Sequence, residues 1–203
     1  MIDADLVARA RQGDSAAFGE LADRHRTAVY RAALAALGSH AEAEDAAQDA
    51  FLIAYRRLGS FRGEASFKTW LLTIAWHQAI NRRRTLTRLL RRMVGNPVAQ
   101  GSSYHVARRF SRAADEDPLA SVAAAGLSPE AAAAHEQLQR AARDAINALS
   151  PKLRDALVLV QSDQYSYEEI AAILAAPVGT VKWRISEARK QVRRQLQERG
   201  FRE

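Results

Sequence analysis

From Asp3 to about Arg92, apolar residues recur three and four positions apart, with Leu6, Val7 and Ala10 in one run and Phe18, Leu21, His25 and Val29 in the next. That spacing lines one face of successive amphipathic helices. Gly13 and Gly38 punctuate the pattern, and Gly38 stands where a left-handed residue closes a helix. Ser39 and Glu42 follow in the arrangement of a capping box, which predicts a helix running to about Leu58. The stretch Gly59-Ser60-Phe61-Arg62-Gly63-Glu64 has turn chemistry, and Ser66 is placed to cap a helix from Phe67 into the arginine cluster at 82–84.

Helical periodicity then lapses. Gly95-Asn96-Pro97, Gly101-Ser102-Ser103, Asp115-Glu116-Asp117-Pro118 and Gly126 make 93–128 a linker by composition. Pattern resumes at Pro129 and continues to Phe201, with Ser150-Pro151 marking a further helix start. The fold class expected is all-α: two small helical domains, 1–92 and 129–203, joined by a flexible linker. A usage rich in Ala, Leu, Arg, Glu and Gln favours helix nearly throughout, and no repeat at solenoid periods is present.

Charge adds a direction to this picture. The 203 residues carry a formal charge of +7, an attractive field for nucleic acid or an anionic surface. The charge is also segregated. Acids collect at Glu42, Glu44, Asp45 and Asp49; arginines collect at Arg82, Arg83, Arg84, Arg88, Arg91 and Arg92, and a second basic run extends from Lys182 to Arg202. The chain has no cysteine, so it needs no oxidising compartment. Its start has early acids and no basic segment followed by an apolar one, and no run approaches the roughly 18 apolar residues that span a bilayer. A cytoplasmic protein without membrane insertion is expected.

Near the C-terminus, Ser166-Tyr167-Glu168-Glu169 is a capping box that opens a short helix through Ile170, Ile173 and Leu174. A Pro177-Val178-Gly179 corner precedes a second helix beginning near Thr180, the order of elements in a helix-turn-helix. At 100° per residue, Val181, Ile185, Ala188 and Val192 share the inner face, while Trp183, Ser186, Glu187, Lys190 and Arg194 point outward, where a DNA major groove fits. Lys182, Arg184 and Arg189 flank the two faces within reach of phosphates, and the amides near Gly179 and Thr180 favour a phosphate oxygen. A charged outer face is also what any solvated helix presents, and Trp183 serves either DNA or a packing partner.

The two halves together resemble the extracytoplasmic-function (ECF) group of bacterial sigma factors. The resemblance is carried, in order, by Ala43-Glu44-Asp45-Ala46-Ala47-Gln48-Asp49-Ala50-Phe51, Phe61-Arg62-Gly63-Glu64, Phe67-Lys68-Thr69-Trp70-Leu71, Ile74-Ala75, Tyr167-Glu168-Glu169-Ile170-Ala171 and Pro177-Val178-Gly179-Thr180-Val181-Lys182. It implies that Asp45, Gln48, Asp49 and Phe51 dock on the clamp helices of the polymerase β′ subunit, with core packing a second role for Phe51. It implies that Phe61, Arg62, Lys68, Trp70, His77, Asn81, Arg82, Arg83 and Arg84 hold the melted -10 promoter strand, whose lost stacking is recovered in base pockets and backbone contacts. Trp70 and Trp76 stack on bases or fill the core. The second domain, through Thr180, Lys182, Trp183, Arg184, Ser186, Glu187, Arg189 and Lys190, would read the duplex -35 element beside the polymerase β flap. The resemblance also implies an anti-sigma factor as partner, with no cofactor, metal or small-molecule substrate.

Three departures from the family pattern stand out. His77 replaces a usual Asn, which bears on -10 base preference; Ser186 and Glu187 stand where basic or aromatic residues are frequent, so the -35 preference is this chain's own. Ala175-Ala176 precedes the corner where Gly is usual, and a left-handed alanine costs on the order of 1 kcal/mol, which leaves room for a corner built differently. An enzyme is disfavoured: the five histidines are scattered, and there is no phosphate-cradling glycine loop, nucleophile elbow or paired-histidine metal motif. The stronger rival is a one-component repressor with an N-terminal sensing domain, which has no need for the Asp45 to Trp70 block. A membrane-surface role lacks the apolar stripe it requires.

Overall fold

The computed structural model describes residues 2–93, 128–161 and 165–201, and among these it contains eight α-helices and no strand. The expected linker falls almost wholly outside the described residues. Helices α1 (Asp3–Arg11), α2 (Ser15–Leu37), α3 (His40–Arg57) and α4 (Phe67–Met93) form a first bundle, with a 3₁₀ turn at Leu58–Ser60 after α3. Helices α5 (Pro129–Ala148), α6 (Pro151–Gln161), α7 (Tyr167–Ile173) and α8 (Val178–Glu198) form a second.

Local chemistry sets most of the boundaries. Asp14 caps α2 by accepting from the Ala17 amide at 3.1 Å, and Gly38 closes that helix at φ 69° with its amide on the Leu34 carbonyl at 2.7 Å. The Arg9 guanidinium also binds Asp14, and with the Ala17 bond it holds this carboxyl below the usual range. Ser39 accepts from the Glu42 amide, but the reciprocal half of the predicted capping box is missing, because the Glu42 carboxylate turns to Arg82 instead. Ser66 accepts from the Thr69 amide at 3.0 Å and starts α4; Ser166 and Glu169 complete both halves of their box at 3.1 and 2.9 Å. The last helix begins at Val178, two residues earlier than the pattern near Thr180 indicates.

The corner before α8 is a Schellman ending: the Ala176 amide donates to the Ala171 carbonyl at 3.0 Å, and Ala175 to Ala172 at 3.2 Å. Ala175 therefore takes the left-handed conformation itself, at φ 46°, where glycine is ordinarily used. The corner keeps its usual geometry and carries the strain. Ala175→Gly is expected to stabilise the protein by about 0.5–1 kcal/mol, raising the midpoint of thermal unfolding by a few degrees. An unchanged or lowered midpoint in calorimetry would contradict that account.

Leu6, Leu21, Val29, Leu71, Leu72 and Trp76 fill the first bundle, and alanines 43, 46, 50 and 54 let α3 approach its neighbours closely. His25 lies among the apolar positions of α2 and is satisfied by Asp3 at 2.7 Å. In the second bundle, Ile170, Ile173, Val181, Ile185 and Ala188 are buried as their spacing predicts. The two bundles also pack on one another. Ala156, Leu159, Tyr165, Ile170 and Ile173 belong to the same continuous apolar cluster as the first bundle's core, with α4 against α7 and α2 against α6.

Candidate functional site

Helix α3 presents Asp45, Gln48 and Asp49 on its exposed side, with alanines on the side turned inward. Arg82, projecting from α4, lies beside this acidic face. Its guanidinium binds Glu42, reaches Asp45 at 2.8 Å and approaches Asp49 at 3.5 Å. These carboxylates, Glu42 foremost, raise the Arg82 pKa above its ordinary value. Arg82, expected with the -10 strand contacts, thus stands instead among the acids of α3, where it orders them and tempers their mutual repulsion. Phe51 is half-buried against the core, whereas Leu52, at 56 % exposure, extends the Asp45–Asp49 face by one turn. Leu52 is absent from the sequence-derived set; its signal was an apolar residue seven positions after Asp45, on the same polar stripe.

The turn between α3 and α4 is pinned by aromatics. Phe61, Phe67 and Trp70 cluster with ring centroids 5.2 to 5.9 Å apart, which leaves residues 62–66 exposed on a fixed base. Trp70 is half-buried in this cluster, and Trp76, at 2 % exposure, is core. Along α4, His77, Asn81, Arg84 and Arg88 are exposed and recur every three to four residues, forming one stripe that continues away from the loop. The other basic candidates point elsewhere. Lys68 pairs with Glu169 of α7 at 3.2 Å, and Arg83 pairs with Asp155 of α6 at 3.0 Å while donating to the Ala36 carbonyl at 3.1 Å. Arg88 joins the stripe as a residue missing from the candidate set.

On α8, Lys182, Trp183, Ser186, Arg189 and Lys190 are exposed, and Trp183 is 63 % so. Arg184 and Glu187 are half-buried at the margins, with Glu187 accepting from Gln191 at 2.8 Å. The centre of the outer face is therefore rotated toward Lys182 and Arg189 from the one read in the sequence. Tyr167, Lys182, Ile185, Ser186, Arg189, Lys190 and Arg193 line a groove of about 490 Å³, and the Lys182 ammonium sits 5.5 Å from the Tyr167 ring centroid. The basic side chains converge where a polyanion would lie. Thr180 lies in the first turn of α8, where unpaired amides face outward. Among the described residues no group of three or more His, Cys, Asp or Glu is arranged to hold a metal, and no helix is long and apolar enough to cross a membrane.

The chain as a whole is similar to known proteins. The family model for sigma-70 region 2 matches residues 21–89, and that for sigma-70 region 4 matches residues 139–192. The chain is 32 % identical to the RNA polymerase sigma-H factor of Pseudomonas aeruginosa, over 96 % of this chain and 94 % of the relative. It is 34 % identical to the ECF RNA polymerase sigma-E factor of Escherichia coli, over 97 % and 95 %. Its fold is similar to that of CnrH in complex with the cytosolic domain of CnrY, with TM-score 0.60, 23 % identity and 97 % of each chain covered. It is also similar to the sigma factor RpoE of Bartonella quintana in complex with the anti-sigma factor NepR, with TM-score 0.56, 23 % identity and coverage of 89 % and 96 %. The repressor alternative gives way to this full-length likeness. The chain belongs to the ECF RNA polymerase sigma factors and directs promoter-specific initiation of transcription.

Proposed function

We propose how the work of initiation is divided over this chain. Residues 1–92 act as the unit that binds core polymerase and captures the melted -10 strand, and residues 129–203 read the -35 duplex. The observation that carries this division is the segregation of three exposed faces: acidic on α3, basic and polar on α4, basic with an aromatic on α8. The docking face on β′ is Asp45, Gln48, Asp49 and Leu52, with Phe51 supporting it from below and Arg82 ordering it from the side. The exposed loop at 62–66, His77, Asn81, Arg84 and Arg88 form the path of the single strand, with Lys68 and Arg83 at its edge. Trp70 holds the loop and offers its half-buried edge to a base.

For the duplex, Lys182, Arg189 and Lys190 bind phosphates while Trp183 and Ser186 face base edges, with Arg184 and Glu187 at the rim. The protein performs no covalent chemistry of its own and acts in the cytoplasm, where polymerase is. An anti-sigma factor is its natural antagonist, a reading supported by the solved complex of RpoE with NepR. A multi-round transcription assay with core polymerase and genomic promoter fragments tests the whole. Specific initiation is expected only when this chain is added; its absence on every fragment defeats the reading.

The α8 assignment has its own test. Lys190→Ala should weaken duplex binding about equally on all sequences and lower the slope of log affinity against log salt by about 1. Ser186→Ala should instead change preference at one base position and leave the slope alone. Equal effects of the two across a sequence library would contradict the division between phosphate and base contacts.

A further inference from the structure

Helix α1 lies outside the span matched by the region 2 family model, yet it is tied at both ends to the surroundings of the exposed loop at 62–66. Leu6, Val7 and Ala10 seat it in the core, and it packs on α2, on the 3₁₀ turn at Leu58–Ser60 and on α4. At its C-terminal end the Arg11 guanidinium donates to the Gly59 carbonyl at 3.3 Å, just before the loop. At its N-terminal end Asp3 accepts from His25 Nε2 at 2.7 Å and is also bound by Arg24 at 3.2 Å, which in turn pairs with Glu20. His25 is the polar member of the inner stripe of α2, its side chain 14 % exposed. Its ring stands 5.7 Å from that of Phe67, tilted by 47°. Phe67 is the first residue of α4 and is buried, and its ring meets Phe61 at 5.9 Å and Trp70 at 5.8 Å. A continuous line of contact thus runs from the first turn of α1 through His25 and Phe67 to the aromatics that carry the loop.

Resting on the reading of that loop as a seat for the -10 strand, we infer that His25 is a positioning residue for strand capture: tethered by Asp3, its ring buttresses Phe67 and so fixes the aromatic base on which the loop stands. A leucine could fill the same space. Histidine adds direction, because a ring hydrogen-bonded to a carboxylate that is itself held has one orientation, and Phe67 packs against it. The loop needs such support. Residues 62–66 are all exposed, so the loop buries nothing of its own that could set its shape, and Gly63 bends it at φ 76°. An unstacked base is bound more tightly by a seat already in shape than by one ordered on contact, since no ordering entropy is lost at the moment of binding. Helix α1 then serves the strand-binding surface although Asp3 and His25 touch no DNA.

The test replaces His25 in the full chain by Gln, which keeps a side-chain N–H but has no ring, and by Phe, which keeps a ring but not the bond to Asp3. Each chain is combined with core polymerase, and affinity is measured for a labelled 12-nucleotide single strand selected from a random pool on the wild-type holoenzyme. His25→Gln should weaken the strand about tenfold and leave the titration of core polymerase unchanged, and His25→Phe should recover most of that loss. Fluorine NMR of chains labelled with 5-fluorotryptophan gives a second reading: the Trp70 line, assigned from Trp70→Phe, should shift and broaden in His25→Gln while the Trp183 line stays in place. Should His25→Gln lose helix content by circular dichroism, Asp3→Ala, which leaves the ring and cuts its tether, carries the same comparison with a loss of about threefold. Losses of strand and polymerase affinity in step reduce His25 to a core residue and overturn the inference. So does an unmoved Trp70 line, a His25→Phe chain that recovers nothing, or an unweakened strand in His25→Gln when Arg62→Ala does weaken it. A moved Trp70 line with strand affinity unaltered by both His25→Gln and Arg62→Ala shows instead that the loop is not the seat, and that reading falls together with the inference.

Discussion

Asp49→Arg is expected to weaken core-polymerase binding by about 100-fold or more, roughly 3 kcal/mol, with the helical fold intact. Asp49 points outward from α3, its side chain 57 % exposed, and its carboxylate approaches the Arg82 guanidinium at 3.5 Å. Nothing in the core depends on it, and arginine is at least as good a helix former as aspartate. In the proposed complex the reversal would place a second guanidinium beside Arg82 and aim it at basic partner helices, turning an attraction into a repulsion. A titration of labelled core polymerase reads the loss, and circular dichroism checks the fold. Leu52→Ala should give a smaller loss in the same titration, through lost contact area, whereas Phe51→Ala should lower thermal stability before it affects docking. Undiminished binding of Asp49→Arg would overturn the assignment of α3.

The difference between Phe51 and Leu52 illustrates what could be read in the sequence. Adjacent helix positions differ by 100°, so which of the two turns outward beside the acids shows only once the neighbouring helices define the buried side. Signals that act over three or four residues were fully legible: Ser66 and Ser166 as caps, Gly38 as an ending, and the 3.6-residue spacing that buries Val181, Ile185 and Ala188. Ser39 was legible only by half, because Glu42 prefers Arg82, forty positions away, to its own helix start. The fate of the basic residues was the least legible part. Nothing local distinguishes Arg82, Arg83 and Arg84, yet the α3–α4 packing sends the first to the acids of α3, the second bundle takes the next, and the third stays exposed. The contact of Tyr165 with the Ala28 carbonyl spans 137 positions, and no pattern within either segment announces it.

Trp76→Ala and His77→Ala, neighbours on α4, are expected to fail in different ways. The Trp76 ring is among the largest fully buried side chains of the first bundle, and its removal leaves a cavity that rigid helices fill poorly. A loss of about 3–5 kcal/mol is expected, which for a domain of this size lowers the thermal midpoint by about 15–30 °C. Transcription at a permissive temperature should then fall only as far as the folded fraction falls. His77, one residue on, is exposed in the stripe with Asn81 and Arg84. Its replacement should leave the midpoint within about 0.5 kcal/mol of wild type while changing the preference for bases at the -10 element. His77→Asn is the sharper form of that test, since a planar amide can donate and accept at one base edge at once, where an imidazole presents a single nitrogen to it. Denaturation curves alongside initiation from a randomised -10 library separate the two residues. A His77 variant with an unaltered base profile would place the strand off this stripe, and a Trp76 variant of full stability would mean that the ring packs loosely enough to be dispensable.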